Sequence, residues 1–179
     1  ALDVMIARAR FADLAVIGQP APDESDAVAD YDLPAELVME LGRPVLIVPN
    51  AGEFADAGRR VLVARAGTRE SRRAASDGLA LLDAGSKLTI LMVNPKADNA
   101  ANQADMKAWY ARHGYDVEIR VVRTSEKEVG DVLRATAAEI GADLIVMGAY
   151  GRSRLRELIL GGATHSMLKH TAVPVLMSH

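Results

Sequence analysis

Residues 142–162 read ADLIVMGAYGRSRLRELILGG. The short apolar run LIVM is followed by fifteen residues, of which four are glycine, and arginines alternate along them at positions 152, 154 and 156. A β-branched apolar run of this length is typical of a buried strand, and glycines mark the turn after it. The stretch predicts a strand, then a glycine-rich segment (residues 148–162, the glycine loop), then a helix from about Ala163.

Strand and helix patterns alternate through residues 59–179. A capping-box spacing, Ser125 and Glu128, predicts the start of the helix before the glycine loop's strand. Apolar strand runs are separated by segments with helical spacing, and they lie at 59–66, 87–93, 115–122, 142–147 and 173–177. The alternation predicts an α/β fold with an open, doubly wound parallel sheet of five strands and helices on both faces.

The strand order 3-2-1-4-5 would place the ligand site of such a sheet between its first and fourth strands. Ligands bind beyond the carboxyl ends of the strands, where the winding reverses. The first strand ends near Ala66, and the fourth ends where the glycine loop begins. The glycine loop therefore lies at the expected ligand site.

The chain also resembles itself at an offset of 130 positions. FADLAVIGQ (11–19) aligns with GADLIVMGA (141–149), and RPVLIVP (43–49) aligns with VPVLMSH (173–179). Both matches share one offset without a gap, which is hard to obtain by chance from short apolar runs. The pattern indicates two related repeats.

The repeats differ in completeness and in their loops. We interpret residues 1–50 as the C-terminal part of a first repeat that lacks its opening half, residues 51–58 as a linker, and residues 59–179 as a complete second repeat. The first repeat carries an acidic loop that would repel an anion. In that loop three glycines of the second copy are replaced by Ala21, Tyr31 and Asp32.

Length and composition fit a soluble globular protein. Half of the 179 residues are apolar, a quarter are charged, and the net charge is −3. The absence of cysteine excludes disulfides, thiolate catalysis and cysteine-ligated zinc. No apolar run approaches the roughly 20 residues that span a bilayer, and no signal-peptide pattern opens the chain. We expect a cytoplasmic protein with neither nucleic acid nor membrane as partner.

The glycine loop itself has two interpretations. Its backbone N–H groups could converge on an anion, with the following helix adding its positive end and the arginines adding forked donors. Alternatively, it is a tight connection with solvated arginines. Its place at the predicted ligand site favours the first interpretation. It lacks the Walker lysine and the G-x-G-x-x-G pattern, so neither a P-loop nucleotidase nor a dinucleotide fold is indicated.

Two segments resemble the universal stress protein family. Gly148, Gly151 and Gly161, with ATHSMLKHTAVPVLMSH after them, are similar to its closing motif G-x2-G-x9-G-S/T, and VLVARAGTRESRRA (61–74) is similar to its opening strand and helix. The resemblance covers residues 59–179. It implies an adenine nucleotide alpha hydrolase-like fold and a regulatory module in stress response that binds ATP or AMP, with or without Mg²⁺.

The resemblance also implies the nucleotide's contacts, with phosphates on the glycine loop and adenine near the backbone of Val93 and Met147. Ala66 stands where the family has Asp, and Gly162 stands where it has Ser or Thr; Thr164 is a candidate replacement for that hydroxyl. The implied contacts are Ala66, Gly67, Thr68, Val93, Met147, Gly148, Gly151, Arg152, Arg154, Gly161, Gly162, Ala163 and Thr164.

No residue is predicted to be catalytic or to bind a metal. His165 and His170 are five apart and lie on different helix faces, and Glu157 is the only carboxylate within the glycine loop. Two alternatives stay open: a family member that serves as a dimerisation or scaffold module without nucleotide, and a slow ATP hydrolase.

Self-association is predicted from two short apolar strands, PVLIVP (44–49) and PVLM (174–177). Proline at the start of such strands is typical of sheet edges, and open edges pair with other strands. We expect these strands to pair with another chain or with the other repeat, and the chain to form at least a homodimer.

Overall fold

The computed structural model describes residues 2–9, 11–19, 28–96, 100–125, 128–151 and 162–179. The strands in this part of the chain are β1 (Ala15–Gly18), β2 (Val45–Val48), β3 (Arg60–Ala64), β4 (Lys87–Val93), β5 (Val117–Val122), β6 (Leu144–Gly148) and β7 (Val175–Ser178). The helices are α1 (Leu2–Ala9), α2 (Val28–Glu40), α3 (Arg69–Gly78, followed by a 3₁₀ turn, Leu79–Leu81), α4 (Ala100–Arg112), α5 (Val129–Ile140) and α6 (Ala163–His170).

The described strands form one sheet in the order β1-β2-β7-β6-β3-β4-β5. The α/β class is confirmed, and the strands within residues 59–179 stand in the order 3-2-1-4-5. The five parallel strands predicted for residues 59–179 are confirmed, and β1 and β2 continue the same sheet, with β2 antiparallel to β7. The other strand pairs are parallel.

Strands β2 and β7 lie inside the sheet, so the expectation that they form its edges is wrong. They pair with each other through Val45↔Met177, Leu46↔Leu176 and Ile47↔Val175. Each supplies the backbone partners that the other would lack at an open edge. The expected pairing of the first segment's strands with the rest of the chain is confirmed, and the edges are β1 and β5.

The β1–β2 and β6–β7 pairs share one register. Ala15 pairs with Val45, and Ile145, which is 130 positions after Ala15, pairs with Val175 in the same way. The hydrogen bond from Gln19 N–H to the Val48 carbonyl (2.8 Å) matches that from Ala149 N–H to the Ser178 carbonyl (2.9 Å). Leu46↔Leu176 is the central β2–β7 pair, and Leu176 is 130 positions after Leu46. The β1–β2 pair and the β6–β7 pair are therefore related by a local twofold axis through Leu46↔Leu176.

Helices cover both faces of the sheet. One buried cluster packs residues of α2, α5 and α6 against the sheet, and it includes Leu37, Leu133 and Met167. The opposite cluster packs α3 and α4 through Ala74 and Tyr110. Burial of apolar area on both faces explains why these strands are nearly continuous apolar runs.

The Asp143 side chain connects the starts of two strands. The Asp143 carboxylate accepts hydrogen bonds from the N–H groups of Gly58, Arg59 and Arg60 at 2.9–3.2 Å, which ties the start of β3 to the start of β6.

The capping-box prediction is wrong. Helix α5 begins at Val129 with Glu128 as an extended N-cap that makes no side-chain cap bond, so Ser125 and Glu128 do not occupy capping-box positions.

Candidate functional site

The winding of the sheet reverses between β3 and β6. Strand β3 pairs with β4 on one side and with β6 on the other. The carboxyl ends of β3 and β6 are therefore the place where an open α/β sheet leaves room for a ligand. Residues 65–68 follow β3 there, and residues 149–151 follow β6.

The turn after β3 is held by side-chain hydrogen bonds. Thr68 caps α3, and its Oγ1 accepts from the Ser71 N–H at 3.3 Å. The Ser71 hydroxyl donates to the Thr68 carbonyl (2.9 Å) and accepts from Arg65 Nη1 (3.0 Å). Ala66 and Gly67, which lie between Arg65 and Thr68, are exposed at the carboxyl end of β3, and Gly67 has a φ of +75°.

The end of β6 packs directly on α3. A Cβ on Gly148 would stand 2.4 Å from the Ser71 nitrogen, and a Cβ on Gly151 would stand 2.9 Å from Thr68 Oγ1 and 3.1 Å from Glu70 Oε2. These distances are shorter than, or at the limit of, real Cβ contacts, so glycine is what allows the approach. The loop predicted after β6 and the turn predicted after β3 are thus brought into contact.

The Thr164 side chain binds the start of the glycine loop, at Tyr150. Tyr150 has a positive φ of 54°, a conformation that is uncommon outside glycine, and its N–H donates to Thr164 Oγ1 at 3.2 Å. Thr164 is only 2% exposed. The buried hydroxyl therefore accepts from the backbone of Tyr150 and holds it in position.

The amino end of α6 lies at the far end of the glycine loop. Gly162 is its N-cap and makes no side-chain cap bond. The first N–H groups of a helix have no partner within the helix, and they carry its positive end. Ala163 is half-buried there. Arg152, Arg154 and Gly161 lie outside the described residues.

The other two predicted contacts lie at the carboxyl ends of β4 and β6. Val93 is half-buried, while the side chain of Met147 is in the core. Asn94 closes the neighbouring turn, because its side chain donates to the Thr124 carbonyl (2.8 Å) and accepts from the Thr124 N–H (2.9 Å). Met147 pairs with Ala64 of β3 and with Met177 of β7, and its predicted backbone contact with a ligand stays a prediction.

Sequence reasoning missed Glu70, whose side chain is buried at the contact between α3 and Gly151. It is 4% exposed, and it accepts a hydrogen bond from Arg69 Nε. Burial pushes the pKa of Glu70 up, but hydrogen bonds from Arg69, from its own N–H and from Thr68 outweigh this and hold the pKa below its ordinary value. No pattern within either segment signals this burial, because it depends on the approach of Gly151 to α3.

A cleft of about 670 Å³ opens at the opposite edge of the sheet, near the amino ends of β3, β4 and β5. Arg120 in its lining is paired with Glu118 and Glu139, each at 2.7 Å. Ligands of open α/β sheets bind at the carboxyl edge, and the glycine contacts lie there too. We therefore place the candidate site at the carboxyl edge.

Two negative observations apply to the described part of the chain. Its helices include none with the length and apolar character needed to cross a membrane. Its histidine, aspartate and glutamate side chains form no group of three or more that could hold a metal ion.

Comparisons with known proteins agree with this fold. Residues 58–179 match the model of the Universal stress protein family. The chain is 28% identical over 89 residues to a universal stress protein of Synechocystis sp. and 39% identical over 41 residues to one of Methanocaldococcus jannaschii. These matches cover 50% and 23% of this chain, and only 30% and 25% of the two relatives.

Solved structures resemble much or nearly all of the chain. A universal stress protein from Archaeoglobus fulgidus DSM 4304 superposes with a TM-score of 0.78 at 20% identity, covering 99% of this chain and 64% of that one. A universal stress protein solved in complex with cAMP has a TM-score of 0.52 at 24% identity, covering 69% of this chain and 99% of that one. At these identities the likeness concerns the fold.

Proposed function

We propose that this chain, which belongs to the universal stress protein family, is a regulatory module that binds an adenine nucleotide, ATP or AMP. One observation carries the proposal. At the switch point of the sheet, Gly151 packs on the capped turn of α3, and the loop that begins there leads to α6, whose amino end has no side-chain cap. This arrangement suits a phosphate, because N–H groups and a positive helix end are stabilised by an anion.

The described residues suit the parts of such a ligand. Amides at Gly151 and in the first turn of α6 would hold phosphate, and the backbone at Val93 and Met147 would face adenine. Arg152, Arg154 and Gly161 are proposed to add phosphate contacts. Since the described residues form no metal site of their own, Mg²⁺ would arrive on the phosphates. The family neighbour solved with cAMP supports an adenine nucleotide as the ligand class.

Two residues lower the expected affinity. Ala66 offers no carboxylate after β3, and Gly162 offers no hydroxyl at the start of α6. Each lost hydrogen bond costs about 1 kcal/mol or more. The hydroxyl of Thr164 is buried, with the residue 2% exposed, so we do not expect it to compensate fully. We therefore expect a micromolar rather than a nanomolar site.

Calorimetric titration with ATP and AMP, with and without Mg²⁺, tests the proposal. The parent chain should bind, and the variant Gly151→Val with Gly161→Val should not. Gly18→Val serves as the matched control, because Gly18 ends β1 as Gly148 ends β6 and a Cβ there meets nothing within 4 Å. If the parent gives no heat of binding at millimolar nucleotide while circular dichroism shows an intact fold, the nucleotide site is absent and the scaffold function is the remaining candidate.

We also propose that the chain self-associates through the β1 edge. Strand β1 ends the sheet, and Val16 on it is 60% exposed. Phe11, four residues before the strand, is 93% exposed. Val146, the counterpart of Val16, is 2% exposed, because Gly78 of α3 packs on it and β3 pairs with its strand. The uncovered surface of β1 suits a second copy of the chain, and this keeps the dimerisation or scaffold function as a second candidate.

The domain arrangement is likewise proposed. The shared register of β1–β2 and β6–β7 supports reading residues 1–50 as one repeat and residues 59–179 as another. Residues 51–58 then connect them, and Gly58 fastens the end of this connection to Asp143.

A further inference from the structure

Arg65 lies on the face of the sheet that α3 and α4 cover. Val61 and Val63 of β3 pack with Tyr110 of α4 in one buried cluster. Arg65 continues this alternation just past the end of β3, and its backbone N–H still donates to the Leu91 carbonyl of β4 at 2.8 Å. Because alternate residues of a strand share a face, the Arg65 side chain leaves the backbone on the side of these two helices.

The Arg65 guanidinium is half-buried and has few partners within the chain. Its Nη1 donates to the Ser71 hydroxyl at 3.0 Å, and Ser71 is 1% exposed, so the group lies against the first turn of α3. A guanidinium presents several N–H donors in a fixed fork. Among the described residues, no other acceptor takes a hydrogen bond from this side chain, and no carboxylate forms an ion pair with it.

Arg72, the residue after Ser71 on α3, adds a second positive charge. Its side chain is exposed and makes neither a hydrogen bond nor an ion pair in the part of the chain that the structure describes. Burial lowers the pKa of Arg65, and the charge of Arg72 lowers it further, so the two guanidinium groups lie within electrostatic reach of each other. A bound anion would oppose both effects.

The Tyr110 hydroxyl is a buried donor without an acceptor in the described ranges. The residue is 3% exposed, and its ring packs edge-on against Trp109. Burial raises the pKa of Tyr110, and the Arg65 guanidinium opposes this shift, so the phenol oxygen lies within electrostatic reach of Arg65. Buried hydroxyls in native proteins nearly always have a partner, and one that the chain does not supply calls for a ligand oxygen.

We propose that Arg65, Arg72 and the Tyr110 hydroxyl form an anion subsite that takes a phosphate group. The forked donors of guanidinium groups match phosphate oxygens, and the phenol O–H adds a donor from the buried side. A phosphate group carries about two negative charges near neutral pH, which suits two guanidinium groups. The subsite uses no residue of the glycine loop, so it goes beyond the proposed nucleotide site.

The test titrates the chain with inorganic phosphate at constant ionic strength, which chloride maintains, and records Trp109 fluorescence and heat. Trp109 is the only tryptophan of the chain, and its ring centroid lies 4.6 Å from that of Tyr110. We expect saturable binding at about millimolar phosphate. Arg65→Gln should weaken it about tenfold, and Arg72→Gln and Tyr110→Phe about threefold to fivefold each. Arg112→Gln, which removes an exposed positive charge at the end of α4, is the control and should leave the affinity unchanged.

Competition with AMP and ATP separates the two sources of the phosphate. If the nucleotide displaces inorganic phosphate and Arg65→Gln weakens the binding of both, the subsite holds a phosphate of the nucleotide. If the two bind together, the subsite takes free phosphate beside the nucleotide. A chain that binds inorganic phosphate in the expected way but no nucleotide keeps the subsite and loses the proposed function.

Two results would overturn the inference. One is a parent chain, folded by circular dichroism, whose fluorescence and heat show no saturable response to phosphate. The other is an affinity that Arg65→Gln changes no more than Arg112→Gln does, since binding would then follow net charge alone. Arg65→Lys keeps the charge without the fork, and its affinity should lie between those of the parent and Arg65→Gln. It also serves as the test variant if Arg65→Gln does not fold.

Discussion

Gly148 at the end of β6 lies against the backbone of Ser71 at the start of α3, where a Cβ on Gly148 would stand 2.4 Å from the Ser71 nitrogen and 2.5 Å from the Glu70 carbonyl carbon. Neither atom belongs to a flexible side chain. A methyl group at Gly148 would therefore push α3 away from the sheet. We expect Gly148→Ala to lower the free energy of unfolding by about 2–3 kcal/mol, measured by urea denaturation.

The chain supplies a matched control for this substitution. Gly18 ends β1 in the register in which Gly148 ends β6, and a Cβ there meets nothing within 4 Å. Gly18→Ala should change the unfolding free energy by no more than about 0.5 kcal/mol. Equal effects at the two glycines would show that the close contact with α3 is not what requires Gly148.

Asp143 joins the starts of two strands. Its carboxylate accepts from three consecutive N–H groups, those of Gly58, Arg59 and Arg60. Asp143→Ala leaves these donors to solvent, and we expect a loss of about 1–2 kcal/mol in unfolding free energy, because the donors are partly exposed. Urea denaturation of Asp116→Ala, at an exposed position before β5, provides the comparison. Identical midpoints for the two variants would contradict this role of Asp143.

Much of the fold could be predicted, because it depends on local patterns. The alternation of strands and helices predicted the parallel sheet of residues 59–179, and the offset of 130 positions predicted similar strands at both ends of the chain. The antiparallel β2–β7 pair could not be predicted in the same way. Both strands are short apolar runs, so their sequences suit an edge and an interior position equally, and only the packed sheet decides between them.

The candidate site was predicted less completely. Thr68, Gly148 and Gly151 were expected at one site, and the structure brings them together at the carboxyl ends of β3 and β6. Glu70 was missed because its burial depends on the approach of Gly151 to α3, which no pattern within either segment encodes. Thr164 was a candidate phosphate donor because it is two residues after Gly162 in the sequence. In the structure its hydroxyl instead accepts from the Tyr150 N–H.

The exposed edge strand allows a test of self-association. Val16 on β1 is 60% exposed, and a charged side chain on a sheet edge opposes strand pairing between molecules. We expect the parent chain to sediment as a dimer or larger species at micromolar concentration, and Val16→Lys to shift it toward the monomer with little change in unfolding free energy. Val129→Lys, at an exposed valine on α5, should leave the assembly unchanged.

A monomeric parent would contradict the proposed association through β1. So would a parent assembly that Val16→Lys leaves intact, because the contact would then lie elsewhere, for example along β5. The charged pairs of Arg120 with Glu118 and Glu139 make β5 the less suitable edge.

Tyr110 provides a prediction for alkaline pH. It is 3% exposed between α4 and the sheet, and burial raises its pKa to about 12, opposed in part by the Arg65 guanidinium. The unfolded chain loses the phenol proton near pH 10, before the folded chain does. The neutral phenol therefore contributes stability that is fully present below pH 10 and is lost as the pH rises through about 12. Tyr110→Phe cannot ionise, so its unfolding free energy should lack this loss.

The measurement is urea denaturation of the parent and of Tyr110→Phe at intervals from pH 8 to 11. The difference between the two should be constant up to about pH 9 and then shift in favour of the variant, approaching about 1.4 kcal/mol per pH unit above pH 10. Because every other titrating group is shared by the two proteins, its effects cancel in the difference. Parallel curves over the whole range would mean that the phenol ionises as readily in the folded chain as in the unfolded one, and that the space between α4 and the sheet is open to water.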